Sequence, residues 1–65
     1  MTKEEAKQAL NNGHKITHIW FTSNEYIYKK DGKLLDEQEI ELNEGMFWHF
    51  RKSESWNENY SIYTK

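Results

Sequence analysis

The pair Asp31-Gly32 constrains this chain more than any other local feature. It lies between two strand-like runs, Glu25 to Lys30 and Lys33 to Leu35. A D-G pair in that setting reads as the two-residue loop of a type I′ hairpin, in which both central residues take positive φ. Upstream of it, Lys15 to Phe21 (K-I-T-H-I-W-F) is the densest apolar, β-branched and aromatic segment before the last third of the chain. We read it as the central strand. Alternation sets Ile16, His18 and Trp20 on one side and Thr17, Ile19 and Phe21 on the other. Both rows carry large apolar groups, which suits a strand covered on both faces or one whose second face meets a partner.

Thr22-Ser23-Asn24 is a polar turn of hairpin length leading into the second strand, Glu25 to Lys30. There Tyr26 and Tyr28 share one face and Ile27 takes the other. After the third strand, Lys33 to Leu35, the stretch Asp36-Glu37-Gln38 loosens the pattern. Glu39-Ile40-Glu41-Leu42 then alternates again, as a continuation beyond a turn or bulge. Tyr60 to Thr64 is the last strand, with Tyr60 and Ile62 on one side and Ser61 and Tyr63 on the other.

Two helices frame these strands. Thr2 and Glu5 have the spacing of a capping box, in which each side chain satisfies the other's free N–H. Ala6, Ala9 and Leu10 make a narrow apolar stripe, and Gly13 provides the stop. Asn43 is placed to cap a second helix from Glu44 to about Lys52. On that helix Met46, Phe47 and Phe50 share a face, flanked by Trp48 and Arg51. The expected fold is a single α+β domain over residues 1–65. It has a small antiparallel sheet of three to five strands and two helices, in the order α-β-β-β-(β)-α-β.

At 65 residues without cysteine, neither disulfides nor thiolate metal sites are available to staple the fold. Aromatic packing and self-association remain. The three Trp, four Tyr and three Phe carry more aromatic area than one small core hides. Four or five of the larger rings are expected in the core, with two or three exposed. A net charge of −2 with both signs mixed is an ordinary surface, and it argues against nucleic acid as partner. The N-terminus lacks the apolar segment of a secretory signal, and no run approaches the ~20 apolar residues of a membrane span. The expected location is the cytoplasm, with no membrane association.

No catalytic signature emerges. The chain has no G-x-S-x-G, no phosphate-cradling glycine loop and no H-E-x-x-H. His14 and His18 are four apart, but in an extended segment that spacing spans roughly 13 Å, too far for one ion. The acidic residues Asp36, Glu37, Glu39, Glu41 and Glu44 lack the spacing of a calcium loop and read as the solvated face of an edge strand. No catalytic residue, cofactor site or metal site is therefore expected. The residues that stand out are interface types, aromatic or arginine: His18, Trp20, Tyr26, Tyr28, Trp48, Arg51 and Trp56.

Three segments taken together resemble a family of small uncharacterised proteins found in bacteriophages, prophages and gut bacteria. They are M-T-K-E-E-A; I-T-H-I-W-F-T-S-N-E-Y-I; and M-F-W-H-F-R followed by W-N-E-N-Y-S-I-Y. The resemblance spans nearly the whole chain. It falls on Thr17, His18, Phe21, Glu25, Tyr26, Ile27, Phe47, Trp48, Arg51, Trp56, Tyr60, Ile62 and Tyr63. Tyr60 stands where a Trp with a preceding Gly is more usual, so the closing turn is expected to differ here. The resemblance implies a fold and a mobile-element origin, and with it the cytoplasm of a bacterial host.

The functional expectation is a non-enzymatic binding protein that occludes or sequesters a host component by protein–protein contact, with defence factors among the targets. The alternatives are a self-associating module whose surplus aromatics close a homodimer, and a small nucleotide or nucleic-acid binder with a pocket near Arg51.

Overall fold

Thr2 opens helix α1 (Lys3–Asn11) in the computed structural model, which describes residues 1–64. Its Oγ1 accepts the Glu5 N–H at 3.1 Å while Glu5 Oε1 accepts the Thr2 N–H at 2.9 Å, forming the expected capping box. Gly13, with φ of +90°, turns the chain out of the helix. The apolar stripe Ala6, Ala9 and Leu10 is buried. Two alanines in that stripe let the helix backbone approach the sheet closely.

The sheet has five strands: β1 (Ile16–His18), β2 (Ile27–Lys30), β3 (Lys33–Asp36), β4 (Glu41–Leu42) and β5 (Tyr60–Ile62). Their spatial order is β4-β3-β2-β1-β5, and every pairing is antiparallel. The first four form a meander, and β5 returns beside β1 after the second helix. The hairpin at Asp31-Gly32 forms as expected. Asp31 has φ of 55° and Gly32 of 77°, and Lys30 sits opposite Lys33. Between β3 and β4, Asp36 Oδ1 accepts the N–H groups of Gln38 and Ile40, at 2.9 and 3.0 Å, and holds a tight loop with Glu39 at φ 63°.

Helix α2 (Glu44–His49) is shorter than the expected span to Lys52. Asn43 caps it, its Oδ1 accepting the Met46 N–H at 2.9 Å. At the other end the Arg51 guanidinium donates to the Phe47 carbonyl at 3.0 Å, and the Arg51 N–H turns instead to the Trp48 carbonyl at 3.1 Å. The side chain thus occupies the carbonyl that would have accepted the next helical bond. A short 3₁₀ turn, η1 (Glu54–Trp56), leads into β5.

Both helices cover the same face of the sheet. Ile16, Ile27, Leu34 and Tyr60 form one buried cluster with Ala6, Ala9 and Leu10 of α1 and Phe47 and Trp48 of α2. The expected Met46-Phe47-Phe50 stripe does not form, because Met46 is 49% and Phe50 69% exposed. A helix of six residues ends before Phe50 completes that face, so the adjacent pair Phe47-Trp48 enters the core instead. On the far side, Tyr26, Tyr28, Leu35 and Tyr63 are half-buried, and neither helix covers them.

Candidate functional site

The segment Lys15 to Phe21 is not one straight strand. The ladder stops at His18, and Ile19 and Trp20 stand outward, each 62% exposed. The cause is local. His18 Nδ1 accepts the Trp20 N–H at 3.1 Å, and the His18 carbonyl accepts the Phe21 N–H at 2.9 Å. The two bonds fold His18–Phe21 into a tight turn, so the period of two breaks after His18. Phe21 consequently rejoins the covered side, 6.0 Å from the His18 ring and 6.1 Å from Trp56. The expected rows Ile16-His18-Trp20 and Thr17-Ile19-Phe21 are corrected accordingly: Trp20 leaves the first and Phe21 joins it.

A second turn follows at once. The Thr22 carbonyl accepts the Glu25 N–H at 3.0 Å, and Glu25 Oε1 accepts the Thr22 N–H at 3.2 Å. Thr17 Oγ1 donates to the Glu25 carbonyl at 2.8 Å and ties this turn to β1. The loop carrying Trp20 is thus hydrogen-bonded along its length.

His18 is the one buried polar residue among those described, at 3% exposure. Because Nδ1 accepts from Trp20, the proton sits on Nε2, which donates to the Glu58 carbonyl at 2.8 Å. Both ring nitrogens are satisfied in the neutral form. Burial pushes His18 below its ordinary value of 6.5. The bond to the Glu58 carbonyl opposes that shift, and the nearby Arg51 charge reinforces it. Around the imidazole, the rings of Trp56 and Tyr60 both lie 4.5 Å from it, centroid to centroid. Tyr60 donates its hydroxyl to the Trp56 carbonyl at 2.6 Å and so fixes η1 against β5.

Arg51 closes this cluster. Its guanidinium lies 3.9 Å from the Phe47 ring centre and 4.9 Å from that of Trp56. Among the described residues its Nε is buried without a hydrogen-bond acceptor, while the guanidinium charge faces the two rings. The Lys3 ammonium donates to the Arg51 carbonyl and ties α1 to the same corner.

The seven residues singled out by type therefore divide three ways. His18, Trp48, Arg51 and Trp56 belong to an internal aromatic cluster, within which Trp48 lies edge-on to Tyr60 at 6.0 Å. Trp48 and His18 are too deeply buried to face a partner. Trp20 projects from the turn above that cluster, its indole N–H reaching the Ser55 carbonyl at 3.3 Å. Tyr26 and Tyr28 lie on the uncovered sheet face, 6.0 Å apart, and Tyr63 stacks on Tyr26 at 4.5 Å. Reasoning by residue type missed Ile19 and Lys15 as surface residues, whereas Tyr63 is itself of an interface type. The alternation of β5 carried a signal for Tyr63, since a residue next to a core position points to the other face.

A shallow cleft of about 340 Å³ lies between the two loops at the β2–β3 end and is lined by Thr22, Asn24, Glu25, Asp36, Glu37 and Gln38. Its carboxylates Glu25 and Asp36 are already engaged in bracing those loops. Among the described residues, no group of three His, Asp or Glu side chains is placed to hold a metal ion. No helix among them is long and apolar enough to cross a membrane. Compared with protein-family models, curated proteins and solved structures, the chain matches none.

Proposed function

We propose that this is a small non-enzymatic binding protein of the phage or mobile-element type, acting by protein–protein contact to occlude or sequester a host component. A factor of host defence is the target class we assign. The Ile19-Trp20 turn is its anchor. One observation carries this reading: two large apolar side chains, each 62% exposed, stand on a turn fixed from beneath by a buried histidine. Tryptophan is the residue type most often found to dominate interface energetics. An anchor held in one backbone conformation loses less entropy on binding than a mobile loop does. The resemblance to small bacteriophage and prophage proteins, which includes His18 and Phe21 of this turn, supports the mobile-element part of the reading.

The test is capture from bacterial host lysate on immobilised protein, followed by reconstitution with the purified candidate. The wild-type chain should retain a defined protein at near-stoichiometric yield. Trp20→Ala should lose it while keeping the wild-type urea midpoint. A column that enriches no protein, or a partner held equally well by Trp20→Ala, rejects the reading. The nucleotide-binding alternative gains nothing from Arg51, whose guanidinium is enclosed between two rings and bonded to the Phe47 carbonyl.

A further inference from the structure

The uncovered face of the sheet presents a row of side chains across all five strands. Tyr63 lies beside Lys15, its N–H donating to the Lys15 carbonyl at 2.8 Å. Tyr28 on β2 is opposite Leu35 on β3, and Leu35 is opposite Glu41 on β4. Tyr26 joins Tyr63 to Tyr28, with ring centres 4.5 and 6.0 Å away. The row is charged at its two ends with opposite sign. The Lys15 ammonium lies 4.8 Å above the Tyr26 ring on the β1 side. On the β4 side stand Glu41 and Glu39, whose carboxylate accepts the Tyr28 hydroxyl at 3.4 Å.

We infer that this face is a self-association surface and that its occupant is a second copy of the chain. The argument is charge complementarity under two-fold symmetry. An axis parallel to β2, between two facing sheets, brings the tyrosines and Leu35 of both copies together at the centre. It also carries each Lys15 towards the Glu41 edge of the other copy. The same patch serves on both sides, as an isologous interface requires. Among the described residues of one copy, Glu41 is held only by an exposed contact to Lys33 at 3.9 Å, which exchanges readily for a partner's lysine. Lys30 and Lys33 share this face at its exposed hairpin end, and the axis sets them opposite the same pair of the other copy, a repulsion that weakens the association and is screened by salt.

Single-stranded nucleic acid fits this face poorly. Tyr26 already has Lys15 on its ring face and Tyr63 beside it, so it offers no free stacking platform. Glu39 and Glu41 repel phosphate. The area also sets the strength of association. Five strands at a spacing of about 4.8 Å, each spanning at most ~13 Å, give a footprint well below the ~800 Å² per partner of a stable interface. The dimer is therefore reversible and forms at high protein concentration.

Sedimentation equilibrium over micromolar to millimolar protein tests this directly. The wild-type chain should show a monomer–dimer equilibrium. Lys15→Glu alone and Glu41→Lys alone should each weaken it by about tenfold or more, because each puts like charges at both symmetric contacts. An equal mixture of the two variants should recover wild-type association, since every contact then pairs opposite charges. Trp20→Ala should leave the equilibrium unchanged, which separates this surface from the proposed anchor. A strict monomer, single variants that dimerise like the wild type, or a mixture that fails to recover overturns the inference.

Discussion

The Nδ1 atom of His18 accepts the backbone N–H of Trp20 across 3.1 Å, and strand β1 ends at that point. The imidazole fills the hydrogen-bonding role of a ladder carbonyl, and the chain turns away from the sheet. One side chain thus sets the length of the strand, projects Trp20 outward and returns Phe21 to the core. The same ring nitrogen is the one that must take up a proton in acid. Protonated, it loses its acceptor and confronts the Trp20 N–H with a second donor.

A pH dependence follows from this. Burial holds the His18 pKa below 6.5 in the fold, against the Glu58 carbonyl and with help from Arg51. Between the folded and unfolded values the unfolded chain binds more protons, so stability rises with pH there. The His18 contribution is complete above 6.5 and is lost as pH falls through 6.5 towards the folded value. Urea midpoints should decline from about pH 8 to about pH 5, and His18→Gln should flatten that decline. Equal slopes for the two proteins would show that His18 is not the group responsible.

Arg51 should be irreplaceable by lysine. Its planar guanidinium stacks between Phe47 and Trp56 and donates to the Phe47 carbonyl, a combination an ammonium cannot reproduce. Arg51→Lys is expected to destabilise the fold by about 1–2 kcal/mol, through lost cation–π contact and a lost hydrogen bond. The urea midpoint should fall with no change in the slope of the transition. A midpoint equal to wild type would reduce the sandwich to a surface contact.

Asn59 immediately precedes Tyr60 and has φ of 73°. Asparagine tolerates this left-handed conformation, but a β-branched residue does not. Asn59→Val should lower stability by about 1–2 kcal/mol, whereas Asn59→Gly should stay within about 0.5 kcal/mol of wild type. Thermal unfolding of the pair measures the contrast. Equal melting temperatures for the two variants would mean that the turn relaxes to another conformation.

Ala6 is fully buried at 0% exposure and sits where α1 crosses the sheet. Ala6→Leu should destabilise by about 1–3 kcal/mol through overpacking, despite adding apolar area. Denaturant titration distinguishes the outcomes. A gain in stability would reveal unfilled space under α1.

Several elements are legible in the amino-acid order. The Thr2–Glu5 capping box, the Asp31-Gly32 hairpin, the Asn43 cap and the shared face of Tyr26 and Tyr28 depend on neighbours within a few residues, and all four appear in the fold. The α+β class and the α-β-β-β-β-α-β order follow from the same local signals. The end of α2 is not legible in this way. It depends on the Arg51 side chain reaching the Phe47 carbonyl, and rings from α2 and η1 hold that side chain in place.

Local signals suffice for the elements because caps, turns and alternation act over three or four residues. The fate of Lys15 to Phe21 rests on long-range contacts instead. As a pattern, that segment alternates without interruption through Trp20 and Phe21. The break after His18 arises because the imidazole is sealed beneath Trp56 and Tyr60, donates to the Glu58 carbonyl, and so keeps a neutral Nδ1 facing the Trp20 N–H. Those partners lie some forty residues further along the chain, beyond the reach of any local pattern. They take Trp20 out of the row that alternation gives it with Ile16 and His18 and leave it exposed.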